Sequence, residues 1–167
     1  MPEQRTIERA RRDKRQGKAP STQAGEFVRE EIEHVRKGKH GARSTKQAIA
    51  IGLSKARRAG VDLPPPRKGA ASKRTRKRAS RDYAVGHGAS KKVPSAKRSS
   101  ATKAALKREG HSAASRKSLS TQARSAARKR SASARSAAAR KASRTKGPRV
   151  LAAAARKAAR TRAREAR

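Results

Sequence analysis

STKQAIAIGLSKARRAGVDLPPP, residues 44–66, is the stretch from which the fold is read. Ser44 stands where a helix N-cap belongs, and Gln47 follows at the capping-box spacing. Ala48, Ile49, Gly52, Leu53 and Ala56 recur at three- and four-residue steps and share one helical face. Gly60 is placed as a left-handed stop. Val61 occupies the apolar position of a Schellman motif opposite Ala56, and Pro64, Pro65 and Pro66 forbid continuation. The pattern predicts a helix over about 45–59.

Upstream, STQAGEFVREEIEHVRKGKHG (21–41) predicts a second helix over about 23–37. Ala24, Val28, Ile32 and Val35 form its stripe, with Phe27 at the edge. Glu26, Glu30, Glu31 and Glu33 lie early and Arg36 and Lys37 late, which suits the helix dipole. Two such helices joined by a short loop describe an αα-hairpin over 21–63, with a core of Phe27, Val28, Ile32, Val35, Ile49, Leu53, Ala56 and Val61. A piece of that size lies near the lower limit of independent folding. Ile51 points away from Leu53, so it is either exposed or covered by a second copy; a homodimer through the hairpin would supply the missing buried area. The acidic side of the first helix reads as a solvated face, or as a counter-charge that docks part of the basic tail.

Composition argues that the rest is a different polymer. Lys and Arg total 49 against 11 acids, a formal charge of +38. Leu, Ile, Val and Phe number only 16 in 167 residues, and nine of them fall between positions 27 and 63. Low hydrophobicity with extreme charge is the signature of disorder. The expectation is therefore a mainly disordered chain with short all-α elements. It comprises a basic N-terminal arm (1–20), the hairpin (21–63), a Pro/Gly/basic linker (64–94) and a low-complexity Ala/Ser/Arg/Lys tail (95–167). In the arm, only Ile7 and Ala10 are candidates for burial. The tail's best latent helix is about 149–165, entered through Gly147-Pro148, with Arg149, Arg156, Arg160, Arg164 and Arg167 on one stripe. Such a helix would form once its charges were neutralised.

Chemistry is sparse. There is no cysteine, no Gly-rich phosphate loop and no serine with a histidine and acid set, so no catalytic residue and no cofactor site is assigned. His34 and His40 are six apart, a spacing that does not place two ligands on one helical face, and no metal site is assigned. The histidines in Gly-containing loops, His40, His87 and His111, read as solvated. No apolar run is long enough to cross a membrane and no secretory h-region is present, so the default location is the cytoplasm. No aromatic or Leu-rich face accompanies the charge, which argues against a membrane surface as partner.

Nucleic acid is the partner that this charge selects. Arg outnumbers Lys 30 to 19, and its planar fork pairs with phosphate oxygens. Phe27 and Tyr83 are the only aromatics, so no stacking platform for single strands exists and duplex DNA is preferred, with RNA open. Candidate contacts in the linker are Lys73, Arg74, Arg76, Lys77 and Arg78. In the tail they are Arg128, Lys129, Arg130, Arg140 and Lys141, then Arg149, Arg156, Lys157, Arg160 and Arg164. If about 8 cations touch phosphate at once, the log–log salt slope is about −7. A helix-turn-helix reading is weak: Lys46, Lys55, Arg57 and Arg58 flank the second helix, but Gln47 is its only amide and the loop is long for that motif.

Thr45–Gly60, TKQAIAIGLSKARRAG, resembles the signature of a family of small basic bacterial proteins of unknown function, KQAIAIALSEARKAG. Gly52 replaces Ala and Lys55 replaces Glu, both read as mild departures. The resemblance implies a bacterial cytoplasmic source and carries no activity. Residues 67–167 resemble in composition the basic tails of linker histones and bacterial histone-like proteins, which implies DNA compaction by analogy. The expectation is a non-catalytic, largely sequence-independent DNA-binding protein of the bacterial nucleoid. The alternatives are an RNA- or ribosome-associated protein, and an adaptor whose hairpin binds a protein while the tail localises it.

Overall fold

The structure, a computed structural model, describes residues 2–90 and 93–165. Among these it holds seven α-helices and a 3-10 turn, with no strand. They are α1 Gln4–Arg15, α2 Pro20–Arg36, α3 Thr45–Arg58, α4 Lys73–Gly86, α5 Ala96–Arg108, the turn Ser112–Ala114, α6 Arg116–Arg128 and α7 Ala132–Glu165. The chain divides into two compact units, one up to Gln122 and one from Ala123 onward.

The quoted stretch folds as its spacing dictates. The Ser44 side chain accepts the Gln47 amide at 3.2 Å. At the other end, Gly60 takes a positive φ of 82°. Its N–H reaches the Arg57 carbonyl at 3.0 Å and that of Val61 reaches Ala56 at 3.1 Å. These two bonds are the Schellman pair, and Ala56 and Val61 are both buried.

The helices α2 and α3 pack on each other, α1 packs on α2, and α4 packs on α3. Two apolar clusters fill the spaces. One joins Ala10 of α1 to Ala24 and Phe27 of α2, Ala56 of α3 and Val61. The other joins Ile32, Val35, Ala42 and Ala48 to Ala113 and Ala114. The loop before α3 is pinned by the later segment: Gly41 N–H donates to the Leu106 carbonyl at 2.9 Å and Ala42 N–H to Gly110 at 3.0 Å. A Cβ at Gly41 would fall onto the Glu109 carbonyl, so only glycine permits this crossing. Thr45 Oγ1 and Arg36 Nε donate to the carbonyls of Ala113 and Ala114 at 2.7 and 2.9 Å. Residues far from the hairpin thus complete its core, and Ile51 is half-buried within the single chain.

The expectation of a mainly disordered chain is overturned. The described chain is 74% helical, and the region assigned to a disordered tail forms α5, α6 and α7. Two physical terms were underweighted. Alanine serves as a core residue, with Ala10, Ala24, Ala42, Ala48, Ala56, Ala79, Ala113 and Ala114 all buried, and a tally of Leu, Ile, Val and Phe does not see it. The linker and tail also carry their own start signals: Ser72, Ser95, Ser115 and Ser131 each accept an amide three residues on. A helix bonds its backbone internally, and Ala, Arg and Lys favour that state. In the second unit, α7 is interrupted at Gly147 (φ 70°), ahead of Pro148, which is where the latent helix was expected to begin.

Candidate nucleic-acid interface

The α4 helix is organised by what its single acid does. Asp82 is buried and accepts from Ser54 Oγ at 2.6 Å and Arg58 Nε at 2.8 Å. Ala79 is buried beside it. Next to this seam Tyr83 donates its hydroxyl to Asp62 at 2.6 Å and stacks on His87, ring centres 4.0 Å apart. The hydrogen bond to Asp62 pushes the Tyr83 phenol above its ordinary pKa, with smaller contributions from burial and from the carboxylate charge.

With Asp82 turned inward, the opposite side of α4 is purely cationic. Lys73, Arg74, Lys77, Arg78 and Arg81 are all exposed. At 100° per residue they occupy an arc of about 140°, and from Lys73 to Arg81 they run about 12 Å along the axis. Arg76, expected to join them, is turned the other way, half-buried with Nε donating to the Pro66 carbonyl at 3.3 Å. Arg81 was not singled out from sequence, although its place four residues after Lys77 was the available signal.

The α3 helix offers much less. Lys55 Nζ lies 2.7 Å from Glu31 Oε2 and 3.6 Å from Glu30 Oε1. Arg57 is buried, donating to the carbonyls of Leu63 and Pro64 at 3.1 and 3.3 Å, and burial lowers its pKa against the opposing pull of Asp82. Arg58 is held by Asp82. Of the four cations weighed for a helix-turn-helix reading, only Lys46 is exposed without one of these contacts.

In the second unit the expected cations Arg128, Lys129, Arg130, Arg140, Lys141, Arg149, Arg156, Lys157, Arg160 and Arg164 are all exposed, and Arg167 lies outside the described residues. Arg149 and Arg156 flank a shallow recess floored by Pro148, Ala152 and Ala153.

The acidic side of α2 is not the solvated face that was expected. Glu30 and Glu31 are buried, Glu26 pairs with Arg9 at 2.8 Å and Arg29 at 3.0 Å, and only Glu33 is exposed. Nor does the basic tail supply their counter-charges; Arg9, Arg29 and Lys55 do. The first of these belongs to α1, which is docked through Ala10 and the half-buried Ile7. Of the expected hairpin core, Phe27, Ile32, Val35, Ala56 and Val61 are buried, and Val28, Ile49 and Leu53 are half-buried.

His40 is likewise not solvated. The α2–α3 loop folds back and sets His40 Nε2 3.3 Å from Glu31 Oε1, with His34 alongside, ring centres 6.2 Å apart. A six-residue spacing does not put the two histidines on one helical face; the loop reversal is what brings their rings together. His34 Nε2 donates to Glu3 Oε1 at 2.9 Å, and Lys39 Nζ meets the same oxygen at 3.0 Å. Together these hold the Glu3 carboxyl at a pKa of about 2, the His34 hydrogen bond contributing most.

Residues 2–68 match a family described as one of unknown function, DUF6496. The match spans α1 to α3 and the proline turn and stops short of α4. No curated protein and no solved structure matches the chain. No described helix is long and apolar enough to cross a membrane.

Proposed function

We propose that the protein binds duplex nucleic acid without catalysis, through phosphate contacts made by helical cationic faces. The observation that carries this reading is the α4 stripe: five exposed cations on a helix whose only acid is buried against α3. Lys73–Lys77, Arg74–Arg78 and Lys77–Arg81 are like-charge pairs four apart, each unfavourable by a few tenths of a kcal/mol. A polyanion reverses the sign of that cost. An α-helix about 10–12 Å across fits the B-DNA major groove, whereas the deep, narrow major groove of A-form RNA excludes it. This supports DNA over RNA. The Arg149, Arg156, Arg160 and Arg164 stripe of α7 supplies a second, independent phosphate-binding surface. Such a protein in a bacterial cell would co-localise with chromosomal DNA.

Equilibrium binding to a mixed-sequence DNA duplex across a salt series tests the reading. Each lost phosphate contact lowers the log–log slope by about 0.9, so replacing Arg74, Lys77 and Arg81 together by Ala flattens it by about 2 to 3. Arg76→Ala leaves the slope unchanged, because that guanidinium faces Pro66. Binding that ignores salt, or a slope that survives the triple substitution, overturns the assignment of α4. Competition with double-stranded RNA of equal length is expected to be weaker.

A further inference from the structure

We propose that Glu31, His34 and His40 form a binding site for Zn²⁺. Glu31 comes from the fourth turn of α2, His34 from the next turn, and His40 from the loop that Gly41 pins beneath residues 109–110. One ligand atom from each lies within 4.8 Å of the other two. Tetrahedral zinc with bonds of 2.0–2.1 Å sets its donor atoms about 3.4 Å apart. The His40 Nε2 to Glu31 Oε1 separation is 3.3 Å.

The orientation of each ring fits the same purpose. A carbonyl oxygen only accepts, so His40 Nδ1, 3.0 Å from the Gly41 carbonyl, carries the proton. In the neutral ring Nε2 is therefore a lone-pair donor aimed at Glu31. Glu3 holds the His34 ring through its contact at Nε2. Backbone carbonyls and carboxylates orient ligating histidines in this way.

Glu31 supplies an independent sign of a binding site. Its side chain is fully buried, and Oε1 receives no hydrogen bond, while Oε2 is paired with Lys55 Nζ at 2.7 Å. Lys55 balances charge at Oε2 and leaves Oε1 facing His40. Two imidazoles and one carboxylate suit a borderline cation such as Zn²⁺, and are a poor set for Mg²⁺ or Ca²⁺. The site does not depend on the nucleic-acid reading, since it shares no residue with the α4 stripe.

The test is calorimetric titration of Zn²⁺ and of Mg²⁺ into the full chain freed of nucleic acid. One Zn²⁺ binds per chain, Mg²⁺ does not compete, and His40→Gln and His34→Gln each weaken zinc at least tenfold, while His87→Gln has no effect. Imidazole ¹H–¹⁵N spectra of the unsubstituted chain guard against variants that fail to fold: one equivalent of Zn²⁺ shifts His34 and His40 and leaves His87 in place. Absence of saturable binding, binding that His34→Gln and His40→Gln do not weaken, or shifts spread over all histidines would overturn the proposal.

Discussion

Lys55 is the residue on which the buried charges of α2 depend. It stands over Glu30 and Glu31, which are 3% and 0% exposed. Removing one partner of a buried ion pair leaves the other uncompensated, at a cost of about 3 kcal/mol or more. Lys55→Met is therefore expected to lower the unfolding free energy in urea by about 3 kcal/mol, and Lys55→Met with Glu31→Met to recover most of that loss. Equal losses in the single and double variants would show that the pair does not carry the effect. Tyr83 permits a titration at the same scale. Its folded pKa is raised, so the Asp62 hydrogen bond contributes stability below the ordinary phenol range and is lost as pH rises through the folded value. Ultraviolet titration of this single tyrosine is expected to give a midpoint above 10, and Asp62→Asn to bring it down. A midpoint unmoved by Asp62→Asn would disprove the bond.

At the scale of the elements, the approach of α2 to α3 sets the limit on substitution. A Cβ at Gly52 would stand 2.6 Å from Val28 Cα. Backbone cannot yield as a flexible side chain does, so Gly52→Ala forces the helices apart. The expected loss is about 1–3 kcal/mol, despite the gain in helix propensity. A stabilised Gly52→Ala chain would show that the two helices are free to separate. The same contact explains what was legible. Caps and stops are local chemistry, so Ser44, Gly60 and Val61 placed α3 to within a residue of its observed end. Which small residues form a seam is decided by the partner helix. Ala48 and Gly52 were read as a stripe, but that Ala113 and Ala114 would close over Ala48 lay outside any local pattern. The His40–Glu31 contact was hidden for the same reason, because a loop reversal and not a helical repeat creates it. Charge polarity failed in the other direction: Glu30 and Glu31 suit the dipole of α2, and nothing in their own helix announces Lys55.

Over the whole molecule, the competing terms are helix formation and charge repulsion. The chain carries +38, yet 74% of its described residues are helical. Surface cations four apart cost only tenths of a kcal/mol each, because water and salt screen them. Internal backbone bonding, serine caps and Ala-rich composition act at every turn and outweigh that repulsion. On the proposed function, a polyanion would neutralise helices that the chain already favours by itself. The far-UV circular dichroism of the nucleic-acid-free chain at about 0.15 M salt is accordingly expected to report about three quarters helix, and titration with duplex DNA to change the 222 nm signal by less than about a tenth. Lowering the salt tenfold lengthens the screening distance to about 25 Å and strengthens every repulsive pair, so helicity should fall first in the second unit, where no acid but Glu165 offsets the charge. A spectrum dominated by coil at 0.15 M salt that turns helical only on adding DNA would restore coupled folding and remove the preformed α7 stripe as a binding surface.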